Sequence, residues 1–258
     1  MQLGLQGRTV MVMAGSQGIG LASARGFHAA GANVAICARS QAALDEAASA
    51  MPGCLAMIAD VTNAEDIDAF VAATAARFGQ IDVLVNNAGG PPPGAFAEID
   101  DTQWASAVEL TLMSAIRATR AVLPGMQARG WGRIVNISSV GVKQPVPNLT
   151  LSNAVRMAVL GWAKTLADQV GPQGVTVNTV CPGWTRTARV EKLFAQQSAA
   201  TGETAEDIEA ALVQTIPLRR AGEASEIANL VVFLGSDAAS YMTGTAIAVD
   251  GGSARGYA

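Results

Sequence analysis

Short runs rich in Val, Ile and Ala alternate along the chain with longer stretches in which apolar residues return every three or four positions. The runs at 9–13, 33–37, 55–58, 83–85, 133–137, 176–180 and 246–249 read as strands. Their nearly unbroken apolar character suits a sheet covered on both faces. The stretches 19–30, 42–50, 64–78, 101–128, 152–170 and 224–234 read as helices, and Gly31, Gly79, Gly130 and Gly171 stand where several of them end. Strand and helix in alternation predict βα units, and right-handed crossovers then lay helices on both sides of the sheet. The expected fold is α/β: a Rossmann-type, doubly wound, seven-stranded parallel sheet flanked by helices on both faces. One domain over 1–258 is expected. Within it, 185–216 carries Leu193, Phe194, Ile208 and Leu212 amid polar residues, a pattern that suits two amphipathic helices forming a lid or simply packed on the body.

With 258 residues, 50% of them apolar, the chain can bury a core of substantial size. A net charge of −4 and a pI near 5.0 give no basic footprint for nucleic acid or an anionic membrane, so a small-molecule partner is favoured. Cys37, Cys54 and Cys181 are odd in number, far apart and without a CxxC pair, which argues against a disulfide framework or a zinc cage. No charged-then-apolar leader opens the sequence, and no apolar run nears the roughly 20 residues that span a bilayer. A cytoplasmic protein is expected. His28, the one histidine, falls in the first helix, away from any nucleophile it could activate.

The first strand runs into Ala14-Gly15-Ser16-Gln17-Gly18-Ile19-Gly20. Glycines there allow a tight turn, a close approach to a diphosphate and a helix start whose free amides face that anion. A plain glycine turn is the competing reading, and the position between first strand and first helix favours the nucleotide. After the second strand, Arg39 and Ser40 occupy the place where an acidic residue would hold both hydroxyls of an NAD ribose. Arg39 suits a 2′-phosphate, or is an ordinary solvated arginine at a strand end.

Together with the loop from Gly15 to Gly20, the segments Asp60-Val61, Asn86-Asn87-Ala88-Gly89, Ile137-Ser138-Ser139, Val177-Asn178, Pro182-Gly183 and Val249-Asp250-Gly251-Gly252 resemble the short-chain dehydrogenase/reductase family, and within it the 3-oxoacyl-carrier-protein reductase-like branch. The resemblance covers almost the whole chain. It implies a nicotinamide cofactor, with NADP(H) preferred over NAD(H) because of Arg39. By resemblance, Asp60 holds the adenine amino group, Val61 packs near its ring, Asn87, Ala88 and Gly89 lie along the cofactor, and Pro182-Gly183 approaches the carboxamide beside Thr185 or Thr187. Turn chemistry alone also explains Asn-Asn-Ala-Gly. The family's glycine motif departs here, with Met13 for its threonine and Ala14 for its first glycine.

The departure at the catalytic positions is larger. The family pairs a tyrosine with a lysine four residues later, supported by a serine and an asparagine. Matched here are Ser139 for the serine, Thr111 for the asparagine, Ser152 for the tyrosine and Arg156 for the lysine. An aliphatic hydroxyl is a far weaker acid than a phenol of pKa about 10, and a guanidinium stabilises charge without giving up its proton. Thr111 either holds a water or bonds back to its own helix.

Three readings follow. The first is a reductase whose proton comes from water held by Ser139, Ser152 and Thr111 under the field of Arg156. The second is a nicotinamide-bearing isomerase or lyase that uses Lys143, in a flexible loop at 140–148, as base, although Lys143 also reads as a solvated charge. The third is an inactive nucleotide-binding subunit. Arg186, Arg189 and Lys143 are candidates to attract an anionic substrate, with Trp184 and Pro91-Pro92-Pro93 as apolar wall. The resemblance further implies a homodimer or homotetramer built on the long helices, with the segment 241–258 closing another interface.

Overall fold

A computed structural model describes residues 2–256; Tyr257 and the end of the expected 241–258 interface segment lie outside the described residues. In chain order the first half comprises β1 (Thr9–Val12), α1 (Gly18–Ala29), β2 (Asn33–Ala38), α2 (Gln41–Ser49), β3 (Leu55–Ile58), α3 (Ala64–Phe78), β4 (Val83–Asn86) and α4 (Asp101–Val108). There follow α5 (Ser114–Arg129), β5 (Gly132–Ile137), α6 (Thr150–Val170), β6 (Val175–Pro182), β7 (Thr185–Arg186), α7 (Ala188–Thr201), α8 (Ala205–Val213), β8 (Gly222–Glu223), α9 (Ala224–Leu234) and β9 (Ala246–Val249). Seven strands form one sheet in the order β3-β2-β1-β4-β5-β6-β9, and every pairing is parallel. The order reverses between β1 and β4, so the chain leaves their carboxyl ends in opposite directions and opens a crevice there.

Alternation along β1 shows how the layers are made. Val10 and Val12 face one core with Phe27, Leu44, Ile227 and Val231, while Met11 and Met13 face the other with Ile67, Phe70, Val122, Met126 and Ala167. Helices α1, α2 and α9 therefore cover one face, and α3, α5 and α6 the other. Phe27 and Phe70 are fully buried, each contributing about 1.5–3 kcal/mol of transfer free energy. Helix α3 matches its predicted span because both ends are signalled locally. The Asn63 side chain accepts from the amides of Glu65 and Asp66, and Gly79 closes the helix at φ +86.

The predicted helix over 101–128 is interrupted. Residues Glu109–Met113 form a π-turn between α4 and α5, and the Ser114 hydroxyl donates to the Leu110 carbonyl at 2.6 Å. One extra residue in a turn widens the helix and re-aims the side chains at that point. The segment 185–216 does hold two helices, α7 and α8, anchored by Trp184 stacked on Phe194 with ring centroids 5.8 Å apart. No described helix is long and apolar enough to cross a membrane.

Candidate active site

The glycine loop after β1 is built for close approach. Gly18 has φ +54, and a Cβ on Gly20 would lie 2.6 Å from the Asn87 amide nitrogen and 2.8 Å from the Ala14 carbonyl. Asn87 donates to the carbonyls of Met13 at 3.1 Å and Ala14 at 3.0 Å, so it ties the loop after β4 to the loop after β1. Ala14 adopts a left-handed backbone conformation, the region that favours glycine, at φ +46. Gln17, at the N-cap of α1, offers no side-chain cap, which leaves the first amides of that helix, from Gly18, Ile19 and Gly20, open to an anion. Gly15 is buried, Ser16 is half-buried and Gln17 is exposed.

Further along the crevice, Arg39 is exposed and has no carboxylate within salt-bridge distance among the described residues, and Ser40 caps α2 by accepting from the Ala43 amide. Asp60 accepts from the Thr62 amide at 2.9 Å and hydroxyl at 2.8 Å; those bonds, followed by the charge of Arg39, hold its carboxyl below the ordinary range. Val61 is buried beside it. Beyond β4, Ala88 is half-buried, and the space a Cβ on Gly89 would enter is open. Pro182 is buried at the end of β6, and Gly183 packs so closely on Asp250 that a Cβ would lie 2.7 Å from its Cα. The cradle of glycines and the uncapped helix end fit a dinucleotide, and the guanidinium of Arg39 stands exposed beside them.

The four catalytic candidates gather where β5, α6 and the π-turn meet. Arg156 is buried; its Nε donates to Ser152 Oγ at 3.1 Å, and its Nη1 donates to the carbonyls of Ile137 at 3.1 Å and Ser138 at 2.8 Å. Burial, with a smaller contribution from the charge of Arg189, pushes Arg156 down to about 10, so it stays a cation at neutral pH. Ser139 Oγ accepts from the Gly141 amide at 3.0 Å, which leaves its own proton free. Thr111 is buried in the π-turn, and its hydroxyl has no partner among the described residues; the back-bond to the helix is made by Ser114 instead. Thr111, Ser138 and Arg156 line one cavity of about 20 Å3 together with Asn86 and Asn136.

Other expectations are corrected. The loop at 140–148 is a fixed arch: Val140–Val142 is a buried 3-10 turn, and Asn153 clasps both the amide and the carbonyl of Val146. Arg186 is not a free anion receptor, because Glu209 at 3.4 Å and Glu223 at 3.3 Å engage it. Arg189 reaches across the crevice instead, donating to the carbonyls of Gly90 at 2.7 Å and Pro91 at 2.9 Å. His28, as expected, lies in α1, with its ring against the Pro52 carbonyl. Sequence reasoning named Asn86 only as part of a motif and passed over Asn136; the visible signal of both is an amide side chain inside an otherwise apolar strand.

The family model for enoyl-(acyl carrier protein) reductase matches residues 13–254. The putative ketoacyl reductase of the monensin polyketide synthase from Streptomyces virginiae is 36% identical over 95% of this chain and 96% of its own. The chain belongs to the short-chain dehydrogenase/reductase family. Among solved members of that family, L-sorbose reductase from Gluconobacter frateurii complexed with NADPH and L-sorbose superposes with a TM-score of 0.94 at 33% identity, over 99% of this chain and 100% of that one. An NADPH-bound short chain oxidoreductase from Pseudomonas aeruginosa PAO1 that contains an atypical catalytic center superposes with a TM-score of 0.90 at 33% identity, over 98% and 99%.

Proposed function

We propose that this short-chain dehydrogenase/reductase is an NADP(H)-dependent oxidoreductase that interconverts a small carbonyl compound and its alcohol, and that it does so without a phenolic acid. The observation that carries the reading is the Arg156–Ser152 hydrogen bond, at the carboxyl end of the sheet beside Ser139. Gly15, Ser16, Gln17, Gly18, Ile19 and Gly20 hold the diphosphate; Arg39 and Ser40 hold the 2′-phosphate; Asp60 and Val61 hold the adenine. Asn87, Ala88, Gly89, Arg156, Pro182 and Gly183 hold the nicotinamide half. The bound cofactor supplies a hydride to the carbonyl carbon.

The side chains do the rest. Ser139 Oγ is already engaged as an acceptor, so its hydroxyl points its proton at the substrate oxygen. Ser152 likewise accepts from Arg156 and donates outward, polarised by a full positive charge at 3.1 Å. Negative charge developing on the substrate oxygen falls between these two donors and within the field of Arg156. A water held by the two serines gives that oxygen its proton, and the hydroxide left behind is neutralised by solvent. Thr111 supports this water from below. The preference for NADP(H) over NAD(H) is supported by the unpaired Arg39 and by NADPH in both solved relatives named above.

Calorimetric titration with NADPH and NADH, followed by assay of wild type and Ser152→Tyr/Arg156→Lys on a panel of small carbonyl compounds, tests the reading. Slow, substrate-dependent NADPH oxidation by wild type is expected. Activity confined to the double variant overturns the water-supplied proton, and turnover without net nicotinamide oxidation replaces the reductase with an isomerase or lyase.

A further inference from the structure

Lys143, Arg156 and Arg189 stand around the carboxyl ends of β5 and β6, and among the described residues none of them has a carboxylate within salt-bridge distance. In a chain of net charge −4 this is a local reversal of sign, and a cleft walled by one sign of charge concentrates its counter-ions. Two of the three cations are already engaged. Arg156 donates to Ser152 and to the carbonyls of Ile137 and Ser138, and Arg189 donates to those of Gly90 and Pro91. Lys143 is half-buried, yet its ammonium has no acceptor among the described residues.

The backbone sets the place of that ammonium. Lys143 follows Ser139 by one buried turn, in which the amides of Val142, Lys143 and Gln144 donate to the carbonyls of Ser139, Val140 and Val140 at 3.2, 2.8 and 3.0 Å. Residues four apart in a helical turn have Cβ atoms roughly 5–6 Å apart, so Lys143 rises from beside the serine that faces the substrate oxygen. The arch is also pinned from outside. Arg255 donates its amide to Gln144 Oε1 at 3.0 Å, and the segment before it is folded by Asp250. The Asp250 carboxylate accepts from the Gly252 amide at 2.9 Å, the Ser253 hydroxyl at 3.2 Å and the Ala254 amide at 2.8 Å, so it is committed to its own loop. Lys143 bears on the end of β6: burial pushes the Cys181 thiol up to about 11, and of the charges acting there Lys143 draws it down most, ahead of Arg156, with Asp250 opposing.

We propose that the substrate carries a carboxylate held by Lys143, so that the carbonyl compound is a short oxo acid and its alcohol a hydroxy acid. This rests on the reductase reading above and names the substrate class of the same site. One uncommitted ammonium calls for one negative charge; the second charge of a phosphate has no second uncommitted cation to meet. The spacing limits the length. With the ketone oxygen at Ser139 and the ammonium rising one turn away, a carboxylate only a few bonds from the ketone reaches both.

The test titrates the full chain, loaded with NADP+, by calorimetry. The probes are pyruvate, acetoacetate and levulinate, whose carboxylates stand one, two and three bonds from the ketone, and the methyl ester of each. Wild type is expected to bind at least one acid about 10–100-fold more tightly than its ester, the range that a hydrogen bond to a charged group contributes. Lys143→Met brings that ratio close to unity, and Lys143→Arg keeps most of it. Binding of none of the three acids, an ester that binds as well as its acid, or a ratio that survives in Lys143→Met overturns the subsite. Assays with NADPH separate this inference from the one beneath it. Acid-over-ester binding without any NADPH oxidation sinks the reductase and leaves the carboxylate subsite standing, whereas NADPH oxidation that does not distinguish acid from ester does the reverse.

Discussion

Ala14 holds φ +46, in the left-handed region where a Cβ costs about 1–2 kcal/mol. The turn persists because Asn87 donates to the carbonyls on either side of the Ala14 Cα, those of Met13 and Ala14, and Gly15 donates to the Cys37 carbonyl. Ala14→Gly relieves the strain and gives back part of the gain as unfolded-state entropy, so it stabilises the protein by about 0.5–1 kcal/mol. Differential scanning calorimetry reads this as a higher Tm; a lower one means that the methyl group's packing outweighs the strain. Arg156 carries a prediction of opposite character. Burial holds its folded pKa below the ordinary guanidinium value, so the protonated form weakens the fold in full at pH below about 10, and the penalty fades as pH rises from there toward the unfolded value. Activity has the reverse dependence: the cation is the working form, and reductase turnover falls as pH climbs through about 10. Arg156→Met is expected to lower kcat by about 100–1,000-fold, as losing one preorganised donor does, with little loss of Tm. A stopped assay across pH 7–11 and a melting curve check both; turnover that keeps rising above pH 10 removes the cation from the mechanism.

At the scale of elements, helices α7 and α8 and the π-turn were legible to different degrees. Helices α7 and α8 announce themselves through apolar spacing and through Thr187 and Thr204 at their N-caps. The latch between them and the body does not, because Arg189 meets Gly90 across 99 positions of sequence and bonds to backbone carbonyls, which carry no residue signature. The π-turn was equally hidden: an inserted residue leaves apolar spacing almost intact, and only its packing against α6 selects it. Caps and glycine stops are local chemistry, so α3 ends where the sequence says. Arg189 predicts a kinetic effect. Its two bonds, to Gly90 and Pro91, fasten the start of α7 over the crevice, while Thr187 approaches Gly18 from the same segment. Arg189→Gln keeps at most one of those bonds without its charge, worth about 1.5–3 kcal/mol before the change. NADPH release, followed by stopped-flow displacement, is then expected to speed up about 10-fold or more, with the association rate little altered. An unchanged release rate means that α7 does not gate the crevice.

For the whole molecule, seven strands, their parallel order and the crevice at β1 and β4 follow from the apolar runs and from crossover handedness, which is why the loops that border the crevice, from Gly15 to Gly89, were readable. The polar well under Arg156 was not, since it depends on β4, β5 and α5 bringing Asn86, Asn136 and Thr119 together. Assembly is the remaining level, and α6 bears on it. Its buried positions Leu151, Val155, Val159, Ala163 and Ala167 face the core. On the opposite side Ala154, Met157, Ala158 and Gly161 are exposed, at the spacing of one helical stripe. Met157 is 50% exposed, and a Cβ on Gly161 would touch nothing within 4 Å. A stripe of small residues around one methionine lets a second helix come close. We propose that two copies pair along it about a two-fold axis, so that each α6 lies against its mate and Met157 of each fills the shallow ground beside Gly161. Met157→Glu then sets two carboxylates against each other in a desolvated seam, while leaving the core and the crevice untouched. Sedimentation equilibrium is expected to give at least twice the chain mass for wild type and a lower mass for Met157→Glu. Wild type sedimenting at a single chain mass removes the pairing, and an unshifted mass for Met157→Glu moves it to another face.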